Sequence, residues 1–244
     1  MSLTVTVLGS SGTYAGPDGA CTGFLVRGGG ATVMMDAGPG TLANLQRHVA
    51  PRELDAVVLS HSHPDHWLEL PVLRNALKYV LACHDLDVYA TAETLELAEK
   101  VTGSSLTPTF RPHVITDGSE VTIGDQHWRC SLTDHPVETL GLRVDADGRS
   151  LGYTADTGPA WSIAELGRVD LGLSEATFLH DSPERNPVHL SAHQAGAQAR
   201  EAGVGHLVIT HVLPTGSPAE SVEEAAAAYG APVDVATLHR TFDV

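Results

Sequence analysis

The sequence predicts an α/β fold built as two similar strands-plus-helix layers packed face to face. Three observations predict it. A strand-to-helix order runs through the first half of the chain and recurs in the second. Runs such as Ala56-Val57-Val58-Leu59 and Leu207-Val208-Ile209 are continuously apolar, as strands covered on both faces must be. No linker or low-complexity segment divides the halves, so one domain spanning residues 1–244 is expected.

The elements follow in order. Leu3 to Leu8 alternates like a half-buried strand, and Gly9-Ser10-Ser11-Gly12 breaks it. Phe24-Leu25-Val26 and Thr32 to Met35 form a hairpin across Gly28-Gly29-Gly30. Asp36-Ala37-Gly38-Pro39-Gly40 ends that strand, after which Leu42, Leu45 and Val49 recur at helical spacing. Ala56 to Leu59 is a buried central strand that delivers the chain to His61. Helical spacing runs from Trp67 to Leu81, Val88-Tyr89 is a short strand, and Glu93 to Val101 is helical. In the second half, residues 121–123, 128–133, 139–144 and 150–154 read as consecutive strands with Gly or Asp turns. Trp161 to Leu166 reads as helix, Asp170 to Leu173 as strand, Ala192 to Ala202 as helix and Leu207 to Ile209 as a buried strand. Ser217-Pro218 supplies an N-cap and a first-turn proline for a last helix that stops at Gly230.

Composition narrows the function. The chain has 244 residues, 42% of them apolar and 18% charged, which excludes disordered and coiled-coil classes. Acidic residues number 30 against 14 basic, a net charge of -16, the opposite of what coating a phosphate backbone requires. Three widely spaced cysteines, Cys21, Cys83 and Cys130, argue for a reducing compartment and for buried apolar roles. The first residues enter a strand pattern directly and no long apolar run follows, so a cytoplasmic protein without a leader or membrane span is expected. Histidine is the outlier: 14 of them, as many as Lys and Arg together. Histidine is the commonest metal ligand and the neutral-pH acid or base.

Four candidate ligands crowd Ser60-His61-Ser62-His63-Pro64-Asp65-His66, between a buried strand and a helix. In extended chain, alternate side chains point the same way, so His61 and His63 can grip one ion. Pro64 turns the chain, and Asp65 and His66 then face a second ion from the helix start. Two cations this close need an anionic bridge, or their repulsion ejects one. A solvated capping loop would require none of the three histidines.

His61-x-His63-x-Asp65-His66 resembles the signature of the metallo-β-lactamase fold hydrolases. Over nearly the whole chain, the sequence is most similar to the branch containing ribonuclease Z and related phosphodiesterases. Gly16-Pro17-Asp18, Leu45-Gln46-Arg47-His48 and His189-Leu190-Ser191 resemble the short actinobacterial cyclic-nucleotide phosphodiesterases of that branch. The resemblance implies a four-layer αββα metallo-β-lactamase sandwich, in agreement with the two-layer reading.

The resemblance also implies the remaining ligands. His135 in Asp134-His135-Pro136 resembles the third histidine, Asp156 in Thr154-Ala155-Asp156-Thr157-Gly158 the bridging carboxylate, and His211 after Leu207 to Thr210 the last ligand. Alone, each reads as an ordinary loop or turn residue; together, they share a position at or just beyond a strand end, where sites gather. One metal then takes His61, His63, His135 and Asp156, and the other Asp65, His66, Asp156 and His211. These ligands suit two divalent ions, zinc first, with manganese or iron as alternatives. Glu175 in Ser174-Glu175-Ala176 and His189 resemble the family's acid pair, with His180 as the rival for His189. His193 reads as a helix-face residue. His48, His84, His113, His127, His206 and His239 read as surface or local hydrogen-bonding residues, and Asp36 as either an anchor of the ligand loop or a turn former.

The reaction this implies is hydrolysis of a small phosphodiester such as a 3′,5′-cyclic nucleotide, with Asp65, His189 and Glu175 in catalytic positions. The same metal pair could instead open a lactone or β-lactam, and a non-catalytic metal protein is the remaining class. Ribonuclease Z itself competes. However, its long form carries a tRNA-gripping arm between the residues matching His135 and Asp156, and here only 21 positions separate them. Tyr14 to Cys21 also lacks the basic residues of the family's first loop. A small-molecule substrate is therefore expected, and nucleic acid is not; a possible homodimer is implied only by the resemblance to the branch.

Overall fold

A computed structural model describes residues 2–244. Fourteen strands form two seven-stranded sheets among the described residues. The first sheet contains β1 (Thr4–Gly9), β2 (Gly23–Gly28), β3 (Ala31–Met35), β4 (Ala56–Val58), β5 (Leu86–Ala90), β6 (Phe110–Val114) and β14 (Thr241–Asp243). The second contains β7 (Glu120–Ile123), β8 (Gln126–Leu132), β9 (Leu140–Ala146), β10 (Arg149–Tyr153), β11 (Leu171–Glu175), β12 (His206–Thr210) and β13 (Asp234–Val235). The strand orders are β14-β1-β2-β3-β4-β5-β6 and β13-β12-β11-β10-β9-β8-β7. Each sheet changes from antiparallel to parallel pairing at its middle, between β3 and β4 in one and between β10 and β11 in the other.

The period-two alternation of side chains sorts the apolar runs into layers. Phe24, Val26, Val33, Met35 and Val58 face the second sheet and meet Trp128, Leu142, Val144, Leu151, Tyr153 and Leu173. Their neighbours Leu25, Met34, Val57 and Leu59 face outward under helices, packed on Leu42, Leu45, Trp67, Leu70, Leu73 and Leu95. Those helices are α1 (Thr41–Leu45), α2 (Pro64–Trp67), α3 (Glu69–Ala76) and α4 (Ala92–Thr102). On the far side, α5 (Ala192–Ala202) and α6 (Pro218–Tyr229) cover Leu207 and Ile209 with small residues, Ala195, Ala199 and Ala225. Small residues let the two backbones meet: a Cβ on Gly196 would lie 2.2 Å from the Ala225 carbonyl oxygen. Helix, sheet, sheet and helix make the four-layer αββα sandwich of the metallo-β-lactamase fold. No helix of the described residues is long and apolar enough to cross a membrane.

Several elements differ from the sequence reading. The helix expected from Trp67 to Leu81 starts at Pro64 and breaks after Trp67. Pro71 has no N–H for the Trp67 carbonyl, so the chain restarts at Glu69 and ends in a wider turn over Leu77–Leu81. Trp161 to Leu166 contains only a 3₁₀ turn, Ile163–Leu166, closed by Gly167 at φ 74°. Strands β6, β13 and β14 had no clear pattern. β6 buries only Phe110, and the other two are two and three residues long.

Candidate metal centre

The parallel ends of both sheets open on one rim, and the candidate ligands converge there. From β4 the chain passes through Leu59 and Ser60 into the loop that carries His61 and His63, and α2 begins at Pro64 with Asp65 and His66 in its first turn. Two glycines let neighbouring backbone close on ligand segments: a Cβ on Gly38 would lie 1.9 Å from the Asp65 carbonyl oxygen, and one on Gly12 2.6 Å from that of His211. The second sheet contributes His135 from the β8–β9 connection, Asp156 after β10, Glu175 at the end of β11 and His211 after β12.

Three overlapping groups of ligand atoms form: His61, His63, His135 and Asp156; Asp65, His66 and His211; and Asp156, His189 and His211. Asp156 lies between the first two. Its Oδ2 is 3.7 Å from His61 Nε2 and 3.9 Å from His135 Nε2, and its Oδ1 is 3.4 Å from His66 Nε2 and 3.3 Å from His211 Nε2. His135 Nε2 is 3.1 Å from His63 Nδ1, and Asp65 Oδ2 is 3.3 Å from His211 Nε2 and 3.6 Å from His66 Nε2.

These spacings suit a metal. Ligand atoms about 2.0–2.1 Å from a tetrahedral ion lie roughly 3.3 Å from one another. His61 Nε2 and Asp156 Oδ1 are buried without any hydrogen-bond partner, a costly state that an ion would relieve. The opposite ring nitrogens are fixed. His61 Nδ1 hydrogen-bonds with the Ser60 hydroxyl (3.0 Å), His66 Nδ1 donates to Asp36 Oδ2 (2.8 Å), His135 Nδ1 to the Val188 carbonyl (3.0 Å), and His211 Nδ1 to Thr177 Oγ1 (2.9 Å). In the neutral ring, each bond leaves an Nε2 lone pair facing the centre. His63 differs in presenting Nδ1.

Charge follows the same layout. Burial, reinforced by His66, holds His61 well below the ordinary imidazole value, and burial lowers His63 and His135, so all three are neutral lone-pair donors. Burial opposes charge on Asp156, but His211 and His66 outweigh it and keep the carboxylate ionised. Burial also opposes charge on His66, where Asp156 and Asp36 outweigh it and push its value well up.

His189 sits on the rim of the same centre. Its Nδ1 is 3.1 Å from Glu175 Oε1 and 4.0 Å from Asp156 Oδ2. That nitrogen is committed to Glu175, which argues against His189 as a further ligand. Burial lowers its value, but the hydrogen bond and charge of Glu175 outweigh this and raise it to about 9; cations at Asp156 would draw it back down. Glu175 is fully buried and also accepts from Thr157 N (2.6 Å), Thr177 Oγ1 (2.6 Å) and Leu190 N (3.2 Å). His180 is exposed, with its ring against His193 and its Nδ1 near Ser191 and Arg185. The structure therefore gives the Glu175 contact to His189.

A family model described as "Beta-lactamase superfamily domain" matches residues 31–212, three quarters of the chain. The chain belongs to the beta-lactamase superfamily. Within this superfamily it is 37% identical over 256 residues to an uncharacterized protein of Mycobacterium tuberculosis, covering 100% of this chain and 93% of that protein. A ribonuclease Z of Mycobacterium marinum is 31% identical over 242 residues, covering 87% of each. Among solved structures, the metallo-beta-lactamase fold protein YhfI from Bacillus subtilis superposes with a TM-score of 0.90 at 26% identity, covering 99% of both chains. Superfamily membership and the two His/Asp clusters make this chain a metallo-β-lactamase fold hydrolase able to bind metal.

Four supporting residues escaped the sequence reading. Thr177 links His211 to Glu175, and Ser60 links His61 to Asp36, to which its hydroxyl donates (2.9 Å). Thr13 donates its backbone N–H to Asp65 Oδ2 (2.8 Å), and Tyr153 crosses from the second sheet to donate to Asp36 Oδ2 (2.8 Å). Thr13 acts through its backbone, Tyr153 reaches Asp36 from the other sheet, and the further partners of Ser60 and Thr177, Asp36 and His211, lie far along the chain, so only the strand-end position of Tyr153 gave a signal. Asp36 proves to anchor the ligand loop, accepting from Ser60 N (2.7 Å) as well.

Proposed function

We propose that the protein is a dinuclear metal-dependent phosphodiesterase that hydrolyses small phosphodiesters such as 3′,5′-cyclic nucleotides. The observation that carries this reading is Asp156, whose two oxygens face two separate ligand groups while the His189–Glu175 pair stands beside them. His61, His63, His135 and Asp156 would hold one ion, and Asp65, His66, His211 and Asp156 the other, with zinc the best match to the donor set. Two divalent ions supply, when bound, a nucleophile at neutral pH and positive charge for a phosphoryl group. Asp65, held by the Thr13 N–H, would orient that nucleophile. Glu175 fixes the His189 ring through Nδ1, which turns Nε2 toward the substrate. His189 then gives its proton to the leaving oxygen, which otherwise departs as an alkoxide.

Ribonuclease Z activity is the second reading, favoured by the 31% identical relative of that name. The segment from His135 to Asp156 is filled by β9 and β10, which pair directly, so no arm projects there. The net charge of -16 also disfavours tRNA. Turnover by the zinc-loaded protein on 3′,5′-cyclic AMP, bis-nitrophenyl phosphate, pre-tRNA, a lactone and nitrocefin tests the choice. The diesters are expected to be cut fastest. Faster turnover of the lactone or nitrocefin would overturn the phosphodiesterase reading, and pre-tRNA cleavage comparable to cyclic AMP turnover would overturn the small-substrate one.

A further inference from the structure

His61 and His63 face one ligand group from the same side of an extended loop, so the residue between them points the other way. That residue is Ser62, which is buried and held from behind at two atoms. Its hydroxyl donates to Glu93 Oε2 (2.8 Å), and its carbonyl accepts the Trp67 indole N–H (2.7 Å).

Both holders follow from the local fold. β5 runs parallel to β4, and Leu59 N donates to the Tyr89 carbonyl (2.8 Å), so the chain leaves the two strands side by side on the ligand rim. Thr91 caps α4 there, and Glu93 stands in its first turn, where the helix dipole favours a carboxylate. Trp67 is the last residue of α2. Helical side chains lean back toward the N-terminus, so its indole reaches the carbonyl five residues earlier. Its ring is buried in the core with Leu59, Leu70 and Leu73.

His63 gives these contacts their consequence. His61, His66, His135 and His211 each have one ring nitrogen hydrogen-bonded on the side away from the centre. His63 presents Nδ1 to His135 and, among the described residues, has no such bond behind its ring. The backbone of the loop is therefore what aims this imidazole, and that backbone is gripped at Ser62. We propose that Glu93 and Trp67 are positioning residues, which clamp Ser62 and so set the bite of His61 and His63 on their ion. This rests on the two-ion reading and assigns the clamp to one of the two ions. By linkage, an ion that fixes the loop also tightens the clamp.

Competitive chelator titration of the metal-stripped protein with zinc tests the clamp, and the Trp67 indole proton, one of three in the chain, is followed by NMR. Ser62→Ala and Glu93→Ala should each weaken one zinc step roughly 10-fold and leave the other within a few-fold. That is the low end of the effect of a partner behind a metal ligand, because Glu93 is open to solvent. Glu93→Gln keeps an acceptor oxygen and should restore the lost affinity. Trp67→Phe leaves the buried Ser62 carbonyl unpaired and should weaken the same step roughly 10- to 100-fold. In the wild type, zinc should slow exchange of the Trp67 indole proton, and less so in Glu93→Ala. Zinc affinity unmoved in Ser62→Ala and Glu93→Ala, weakening of both steps alike, or a loss in Glu93→Gln equal to that in Glu93→Ala would overturn the clamp. A wild type with a single zinc step would overturn the two-ion reading; the clamp would then stand if that step weakens in Glu93→Ala and fall if it does not. A wild type that binds no zinc would overturn both.

Discussion

The two halves of the metal centre are braced unequally. On one side, Asp65, His66 and His211 are all buried, and each is held from behind: Asp65 by Thr13, His66 by Asp36, and His211 by Thr177 and through it Glu175. On the other side, His63 is only half-buried, and His135 hangs on the carbonyl of Val188, which follows a largely exposed stretch, residues 181–187. His61 is the exception there, buried and tied through Ser60 to Asp36. Buried partners hold a ligand in one orientation before the ion arrives, whereas a surface loop must be ordered as the ion binds. The Asp65–His66–His211 side should therefore bind its ion more tightly.

The largest effects should come from groups shared by both sides. Asp156→Ala should bring turnover down to that of the metal-free protein, since the carboxylate faces both ligand groups. A variant that retains most of its activity would remove Asp156 from the bridge. His189→Ala should keep both ions yet lower kcat roughly 10²–10⁴-fold on a cyclic nucleotide, the usual contribution of a general acid. The loss should shrink on bis-nitrophenyl phosphate, whose leaving group needs no proton. Equal losses on both substrates would instead assign His189 to the phosphoryl oxygens.

Smaller changes sharpen the contrast between the sides. Thr177→Val removes the brace of His211 and should weaken one ion roughly 10- to 100-fold in a competitive chelator titration, leaving the other within a few-fold. Weakening of both ions alike would mean that the halves are not independent. Ser60→Ala should cost less, about 1 kcal/mol in affinity on the His61 side, because the His61 ring stays packed in the core. As a control away from both sides, Gly196→Ala should destabilise the fold by about 1–3 kcal/mol in denaturant unfolding while leaving metal affinity alone, since its methyl group collides with backbone.

A different division, local against distant, decides what could be read in the chain. His61, His63, Asp65 and His66 lie within six residues, so local geometry alone suggested two ions. His135, Asp156 and His211 are each a single residue at or beyond a strand end; the parallel registers of β10, β11 and β12 bring Asp156 and His211 to one rim, and the antiparallel β8–β9–β10 pairing brings His135 there. Nothing local marks them, which is why they rested on resemblance. The sandwich was legible because strands such as β4 are covered on both faces. The edge strand β6 was not, since Arg111 and His113 face solvent and pair with Asp87. Thr177 and Tyr153 act across folds of the chain that no window of sequence contains.

Metal stoichiometry decides whether Asp156 bridges a two-ion centre. The protein is stripped with chelator, saturated with zinc, desalted and analysed for metal, alongside Asp156→Ala. The wild type should hold two ions per chain and the variant at least one fewer. Less than one ion per chain in the wild type, or two retained by Asp156→Ala, would contradict it.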